Sequence, residues 1–143
     1  MIANATTHEV TTVAVNGMSL SSNLPDGEVL LDVPVEEGGN GKGVKPKPLM
    51  LSALAGCTAM DVVSLLKKMK VTYSHFEVKV KATLTDEHPK HYSDVNVEYV
   101  FKGEDLNKER IQRAVELSFE KYCGVIYMFK QFATVHYSVN YMD

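Results

Sequence analysis

The sequence LMLSALAGCTAMDVVSLLKKM, residues 49–69, decides the fold of this chain. Up to Ala59 its apolar residues occupy every side of a helix, and Pro46 and Pro48 precede it, as prolines do in a first helical turn. A helix that is apolar on all sides is typically buried. No other segment has this character, so we expect a long core helix around which the sheets wrap.

Three short strands are predicted before this helix. Val10–Val15 and Met18–Asn23 flank Asn16-Gly17, which is the strongest two-residue signal for a β-hairpin. Glu28–Val33 is a third apolar run, bounded by a turn sequence before it and a proline after it. The N-terminal third is therefore expected to form a small sheet.

Two strands, a second helix and a final strand are predicted after the core helix. Apolar and polar residues alternate cleanly over 76–84 and 95–101, as in half-buried strands. Either Asp105 or Asn107 can cap the second helix, a short helical piece follows it, and residues 135–141 alternate again. This order predicts an α+β fold in a single domain spanning residues 1–143.

Composition and charge exclude several classes of protein. The 143 residues are 45% hydrophobic and 23% charged, as in ordinary globular domains rather than disordered chains. The net charge of −3 argues against a general binder of nucleic acid or acidic membranes. Residues 1–10 lack the basic and apolar regions of an export signal. The most apolar stretch, Leu49–Met60, is shorter than the ~20 residues of a membrane span, so we expect a cytoplasmic protein.

The usual signatures of cofactor and metal sites do not occur in the sequence. The glycine-rich loop 36–43 lacks the Ser or Thr that follows Gly-Lys in a phosphate-binding loop. His88 and His91 have neither a cysteine nor a paired carboxylate beside them, so a solvated turn is favoured over a metal site. We therefore predict no cofactor and no metal.

The two cysteines, Cys57 and Cys123, are the candidate reactive groups. Two thiols far apart in a cytosolic sequence are more often structural than reactive. A reactive thiol needs a nearby cation to lower its pKa, and it needs access. Cys57 stands among small residues that would let a substrate or a partner strand come close. Cys123, just before Gly124, is its only candidate resolving partner. These residues alone are compatible with a reactive pair and with two structural thiols.

Two motifs resemble those of the OsmC/Ohr family. Residues 46–63, PKPLMLSALAGCTAMDVV, resemble its core-helix motif, and residues 117–125, LSFEKYCGV, resemble its second-cysteine motif. The resemblance covers nearly the whole chain and implies antiparallel sheets around a long central helix, in an intertwined homodimer. It implies reduction of organic hydroperoxides, with Cys57 as the peroxidatic thiolate and Cys123 as the resolving thiol. Dihydrolipoyl groups or small dithiols would then reduce the disulfide.

The chain departs from the family pattern at the residues that hold the thiolate. The family's peroxidases use an Arg and a Glu, whereas here both arginines lie in the second helix and a lysine or proline replaces the Glu. Lys45 and Lys47, just before the core helix, are therefore the predicted thiolate-stabilising residues. The alternative is a divergent OsmC-like protein that binds a small molecule or senses thiol redox state without catalysis.

The apolar helix generates the first testable prediction, which concerns dimerisation. A single thin sheet covers only one side of a helix, so we expect a second copy to cover the other, in an interface above ~2,000 Å². Light scattering at micromolar concentration should give the mass of two chains. The mass of one chain would contradict the prediction.

Overall fold

The predicted core helix, α1, runs from Pro46 to Lys68 in the computed structural model, which describes residues 5–142. Residues 1–4 and 143 lie outside the described residues, so the segment considered for an export signal is described only in part. Lys67 and Lys68 occupy the last turn of α1, where the helix dipole favours cations. The chain divides into two compact units, with the boundary between Leu49 and Met50.

Helix α1 buries one stripe rather than every side. Its buried residues follow each other at intervals of four along one face and are Leu54, Thr58, Val62 and Leu66. Met60, by contrast, is 75% exposed, and Met50 and Val63 are exposed as well. The expectation of burial on all sides is therefore not met within one chain. The physical reason is that residues of the C-terminal unit pack against a single face of the helix.

The apolar character of helix α1 extends further along the chain than predicted. By length and composition alone it could cross a membrane, and it is the one such helix among residues 5–142. Past Asp61 the helix carries four more apolar residues, Val62, Val63, Leu65 and Leu66, so the prediction that the apolar stretch ends at Met60 was wrong. Core helices of soluble proteins meet the same criterion. The lack of membrane association stays a prediction.

The N-terminal unit contains the three predicted strands, β1 (Thr11–Asn16), β2 (Ser19–Leu24) and β3 (Gly27–Leu31). They form an antiparallel sheet in the order β1-β2-β3. Gly17, with a φ of 60°, makes the tight turn between β1 and β2, which confirms the predicted hairpin. Residues Val35–Glu37 form one turn of 3₁₀ helix that the sequence did not indicate.

Asp32 organises the glycine-rich loop that follows the first sheet. Its buried carboxylate accepts hydrogen bonds from Ser19 Oγ at 2.7 Å and from the backbone N–H groups of Val33 at 2.8 Å and Lys42 at 3.1 Å. The Asn40 N–H lies 3.3 Å from both carboxylate oxygens. The hydrogen bond from Ser19, together with these backbone donors, lowers the pKa of Asp32 to about 2. A side chain on Gly39 would collide with the Val33 carbonyl, so the loop requires glycine there.

The C-terminal unit contains a second sheet with the strand order β4-β5-β6. Strands β4 (His75–Leu84) and β5 (Tyr92–Lys102) pair antiparallel, whereas β6 (Thr134–Met142) pairs parallel to β5. The expectation of wholly antiparallel sheets is therefore wrong for this last strand. A parallel pair needs a long crossover connection, and the helical segments between β5 and β6 supply it.

The crossover consists of three helical segments. Helix α2 (Lys108–Leu117) begins at Asn107, whose side chain caps it by accepting the Arg110 N–H at 3.1 Å. One turn of π-helix, Ser118–Tyr122, follows directly, and α3 (Gly124–Lys130) leads to β6. Of the two predicted caps, Asn107 is thus the one that is used. The π-helix was not predicted.

The core of the C-terminal unit lies between the sheet, α1 and α2. The inward residues of β5 are at most 1% exposed, as the alternation predicted, and they are Val95, Val97, Tyr99 and Phe101. Ile111, Ala114 and Val115 of α2 are fully buried in the same cluster as Leu54 and Val62 of α1. The α+β fold class is confirmed, and this packing fixes the position of the middle of α1.

Replacing Asp32 by Asn should destabilise the N-terminal unit in a pH-dependent way. A carboxylate whose pKa is lowered to about 2 from 3.8 stabilises the fold above pH 3.8 and loses that contribution as the pH falls toward 2. We expect a lower thermal midpoint for Asp32→Asn at neutral pH and a smaller difference from wild type near pH 2. Circular dichroism melts over this range provide the measurement. Asp26→Asn, in an exposed turn, is the matched control, and equal melting of both variants would contradict the prediction.

Candidate functional site

Cys57 lies in the middle of α1 and is half-buried. Its neighbours in the chain are small, and a Cβ added to Gly56 would meet nothing within 4 Å. The space beside the helix at Gly56, one residue before the thiol, is therefore open. Cys57 also packs against the core cluster that contains Cys123.

Cys123 lies between the π-helix and α3 and is only 4% exposed. Its backbone N–H donates to the Ser118 carbonyl at 2.9 Å, a bond across five residues that closes the π turn. Its Sγ caps α3 by accepting the Ile126 N–H at 3.4 Å. Both the backbone and the sulfur of Cys123 are thus held in place.

The structure brings the two thiols together although they are distant in sequence. Both are free, Cys57 packs against the core cluster that contains Cys123, and it lies close enough to raise the pKa of Cys123. Burial raises the pKa of Cys123 to about 12; the N–H of Ile126 opposes this shift, and the contact with Cys57 adds to it. At neutral pH Cys123 is therefore a protonated thiol beside a more exposed partner.

A chain of buried hydroxyl groups lies next to the thiols. The Thr58 Oγ1 is 2.6 Å from the Tyr99 hydroxyl and 2.7 Å from the Ser118 Oγ, and Ser118 donates to Asp61 Oδ2 at 2.9 Å. Tyr99, Thr58 and Ser118 are all fully buried. Burial raises the pKa of Tyr99 well above its usual value, so its hydroxyl stays protonated. Within residues 5–142 no buried side-chain nitrogen or oxygen lacks a partner.

Sequence reasoning missed these hydroxyl residues. Thr58 occupies the same buried stripe as Leu54 and Val62, and Ser118 continues the apolar face of α2. A hydroxyl at a core position must find a partner. The sequence signal for the buried hydroxyl chain was therefore one hydroxyl residue on the core-facing side of each of two helices, together with an inward-facing tyrosine on β5.

The predicted thiolate-stabilising lysines belong to the N-terminal unit. Lys45 Nζ forms an ion pair with Glu37 at 2.7 Å, and Lys47 is exposed in the first turn of α1, ten residues before Cys57. Their predicted action on Cys57 stays a prediction. Arg110, one of the two arginines, donates instead to the Met69 carbonyl at 2.7 Å. Among the described residues no group of three His, Cys, Asp or Glu is arranged to hold a metal ion.

Comparison with known proteins gives a consistent picture. A family model described as OsmC-like protein matches residues 39–138. Protein YhfA of Escherichia coli K12 is 32% identical over 126 residues, covering 87% of this chain and 90% of its own. A hypothetical protein from Aquifex aeolicus VF5 superposes with a TM-score of 0.80 at 26% identity, covering 97% of this chain and 100% of its own.

A third relative carries a functional name. The organic hydroperoxide resistance protein OsmC from Legionella pneumophila superposes with a TM-score of 0.66, covering 94% of this chain and 97% of its own. Its identity to this chain is 19%, so this likeness shows the shared fold.

The unequal burial of the two thiols predicts unequal alkylation. Because burial raises the pKa of Cys123 to about 12, its thiolate is scarce at pH 8, and its sulfur is covered. We expect iodoacetamide to modify Cys57 first and Cys123 only after unfolding in urea, as peptide mass spectrometry would show. Cys57→Ser should leave Cys123 unmodified in the folded protein. Equal modification of both thiols would contradict the prediction.

Proposed function

Because this chain belongs to the OsmC-like family, as its two cysteine motifs predicted, we propose that it reduces organic hydroperoxides with the thiol pair Cys57 and Cys123. The observation that carries the proposal is the proximity of a half-buried and a buried free thiol in one core cluster. The name of the Legionella relative agrees with this activity.

The proposed reaction divides into three balanced steps. The Cys57 thiolate attacks the terminal peroxide oxygen, the O–O bond breaks, and the alkoxide takes a proton to leave as an alcohol. Cys57 is then a sulfenic acid. The Cys123 sulfur displaces its hydroxyl group as water, forming the disulfide. A dithiol, of the dihydrolipoyl type or a small molecule, reduces the disulfide and becomes a disulfide itself.

An apolar substrate suits the surroundings of Cys57. The open surface beside Gly56 is flanked along α1 by small apolar residues, Ala55 and Ala59, and by no charged side chain until Asp61. Burial of an alkyl or aryl group there would be favourable, at about 25 cal/mol per Å² of apolar area. Hydrogen peroxide lacks such a group and should be a poorer substrate.

The proposal includes a homodimer in the cytoplasm. Helix α1 leaves apolar side chains exposed at Met50, Met60 and Val63, and a second copy would cover them. Neither nucleic acid nor a membrane is required by the proposed chemistry.

A thiol redox sensor or small-molecule binder of the same family is the second candidate. Among the described residues, no Lys or Arg side chain donates a hydrogen bond to either sulfur. A thiol without a cation beside it is less ionised and therefore reacts more slowly with a peroxide, which favours a role without repeated turnover. In that case Cys57 and Cys123 would form a disulfide without repeated turnover.

Peroxide consumption distinguishes the two functions. We expect the wild type to consume cumene hydroperoxide with a dithiol over many turnovers, and to consume hydrogen peroxide more slowly. Cys57→Ser should abolish consumption, whereas Cys123→Ser should trap Cys57 as sulfenic and then sulfinic acid. Lys45→Ala and Lys47→Ala should slow the first step if either lysine stabilises the thiolate, with Lys90→Ala in an exposed turn as the control. A single turnover by the wild type would favour the sensor.

A further inference from the structure

Ser118 connects the two thiols through both its side chain and its backbone. Its hydroxyl contacts Thr58 and Asp61, which lie one and four residues after Cys57 on α1. Its carbonyl accepts the Cys123 N–H at 2.9 Å. One buried serine therefore ties the helix that carries Cys57 to the turn that carries Cys123.

The carboxylate of Asp61 gives the hydroxyl chain a single direction. An ionised carboxylate only accepts, so the one proton of Ser118 is directed to Asp61. The Ser118 oxygen then accepts from Thr58, and the Thr58 oxygen accepts from Tyr99. Each hydroxyl uses its only proton, so loss of the Thr58 hydroxyl would leave the buried Tyr99 hydroxyl without a partner, and loss of the Ser118 hydroxyl would leave the Thr58 proton without an acceptor.

The π turn makes the position of Cys123 depend on this anchor. Ser118 is the first residue of the turn Ser118–Tyr122, and the turn contains one residue more than an α-helical turn would. Relaxation to α-helical geometry would rotate the following residues by about 100° around the axis, because an α-helix has 3.6 residues per turn. The Cys123 thiol would then no longer face Cys57.

We propose that Ser118, held by Thr58 and Asp61, is a positioning residue that keeps the π turn in place so that Cys123 can form a disulfide with Cys57. A catalytic importance of this positioning role rests on the proposed peroxidase function. The geometry of disulfide closure itself requires no peroxide, so the two proposals can fail separately.

A chromogenic aryl disulfide tests closure directly. The Cys57 thiolate attacks the reagent, forming a mixed disulfide and releasing one coloured aryl thiolate. Cys123 then loses its proton to solvent and attacks the Cys57 sulfur, forming the protein disulfide and releasing the second aryl thiolate. The rate of the second release, which does not depend on reagent concentration, measures how well Cys123 is positioned. Cys123→Ser should show only the first release.

Two variants of Thr58 separate the effect of losing its hydroxyl group from the effect of changing the side-chain volume. Thr58→Val keeps the shape and removes the hydroxyl, whereas Thr58→Ser keeps the hydroxyl and removes a methyl group. We expect Ser118→Ala and Thr58→Val to slow closure about tenfold, as the loss of a buried hydrogen bond would, with the first release unchanged. Thr58→Ser should close within about twofold of wild type even if its melting temperature falls. Ser64→Ala, exposed on the same helix, should behave as wild type.

Several outcomes would overturn the positioning role. One is unchanged closure in both Ser118→Ala and Thr58→Val. Another is equal slowing of both releases, or slowing in Thr58→Ser that matches Thr58→Val, since either would show a general loss of stability. A wild type that never gives the second release would also overturn it. Normal closure in a protein that does not consume cumene hydroperoxide would instead reject the peroxidase proposal and leave the role of Ser118 intact.

Discussion

The contact between Ser118 and the Asp61 carboxylate fixes how the central helix sits in the C-terminal unit. The fully buried hydroxyl groups of Thr58 on α1, Tyr99 on β5 and Ser118 in the π turn form hydrogen bonds with one another. They can do so only when these three elements keep their positions relative to each other. An unpaired buried hydroxyl costs about 1–3 kcal/mol, so a sliding or rotated helix would lose several such pairs at once. Apolar contacts between Leu54, Val62 and the sheet tolerate small shifts more readily, because they are not directional.

Much of the fold could be predicted because its signals are local. The alternation over β4 and β5, the Gly17 turn and the prolines of α1 each act within a few residues. The parallel pairing of β6 could not be predicted, because it depends on where the crossover returns to the sheet. The π turn was equally hidden, since Ser118–Tyr122 continues a helical pattern and its extra residue is held by a tertiary contact. Burial on α1 was overestimated because a sequence pattern shows which residues are apolar but not how many sides are covered.

The candidate site could be predicted only as far as its cysteines. Cys57 and Cys123 are conspicuous as the two thiols of the chain, and the family motifs pair them. Thr58 and Ser118 have no such signature, because one hydroxyl in an apolar stripe looks like an ordinary substitution until its partners are seen. Lys45 was chosen for its charge, and its ion pair with Glu37 could not be foreseen from spacing. The sequence therefore shows which cationic residues the chain has, whereas the ion pairs in the structure show which of them already have an acidic partner.

The unequal burial of the two thiols assigns them an order of action. A buried thiol whose pKa is raised to about 12 is a poor first nucleophile, because its thiolate is scarce and its sulfur is covered. The same thiol is well suited to a second step, in which its target is already adjacent and a small thiolate fraction is offset by high effective concentration. Cys57 is the more exposed of the two thiols and lies beside open space at Gly56, while the proposed Ser118 anchor would hold the buried Cys123 next to it. The arrangement thus separates the group that meets the substrate from the group that closes the disulfide.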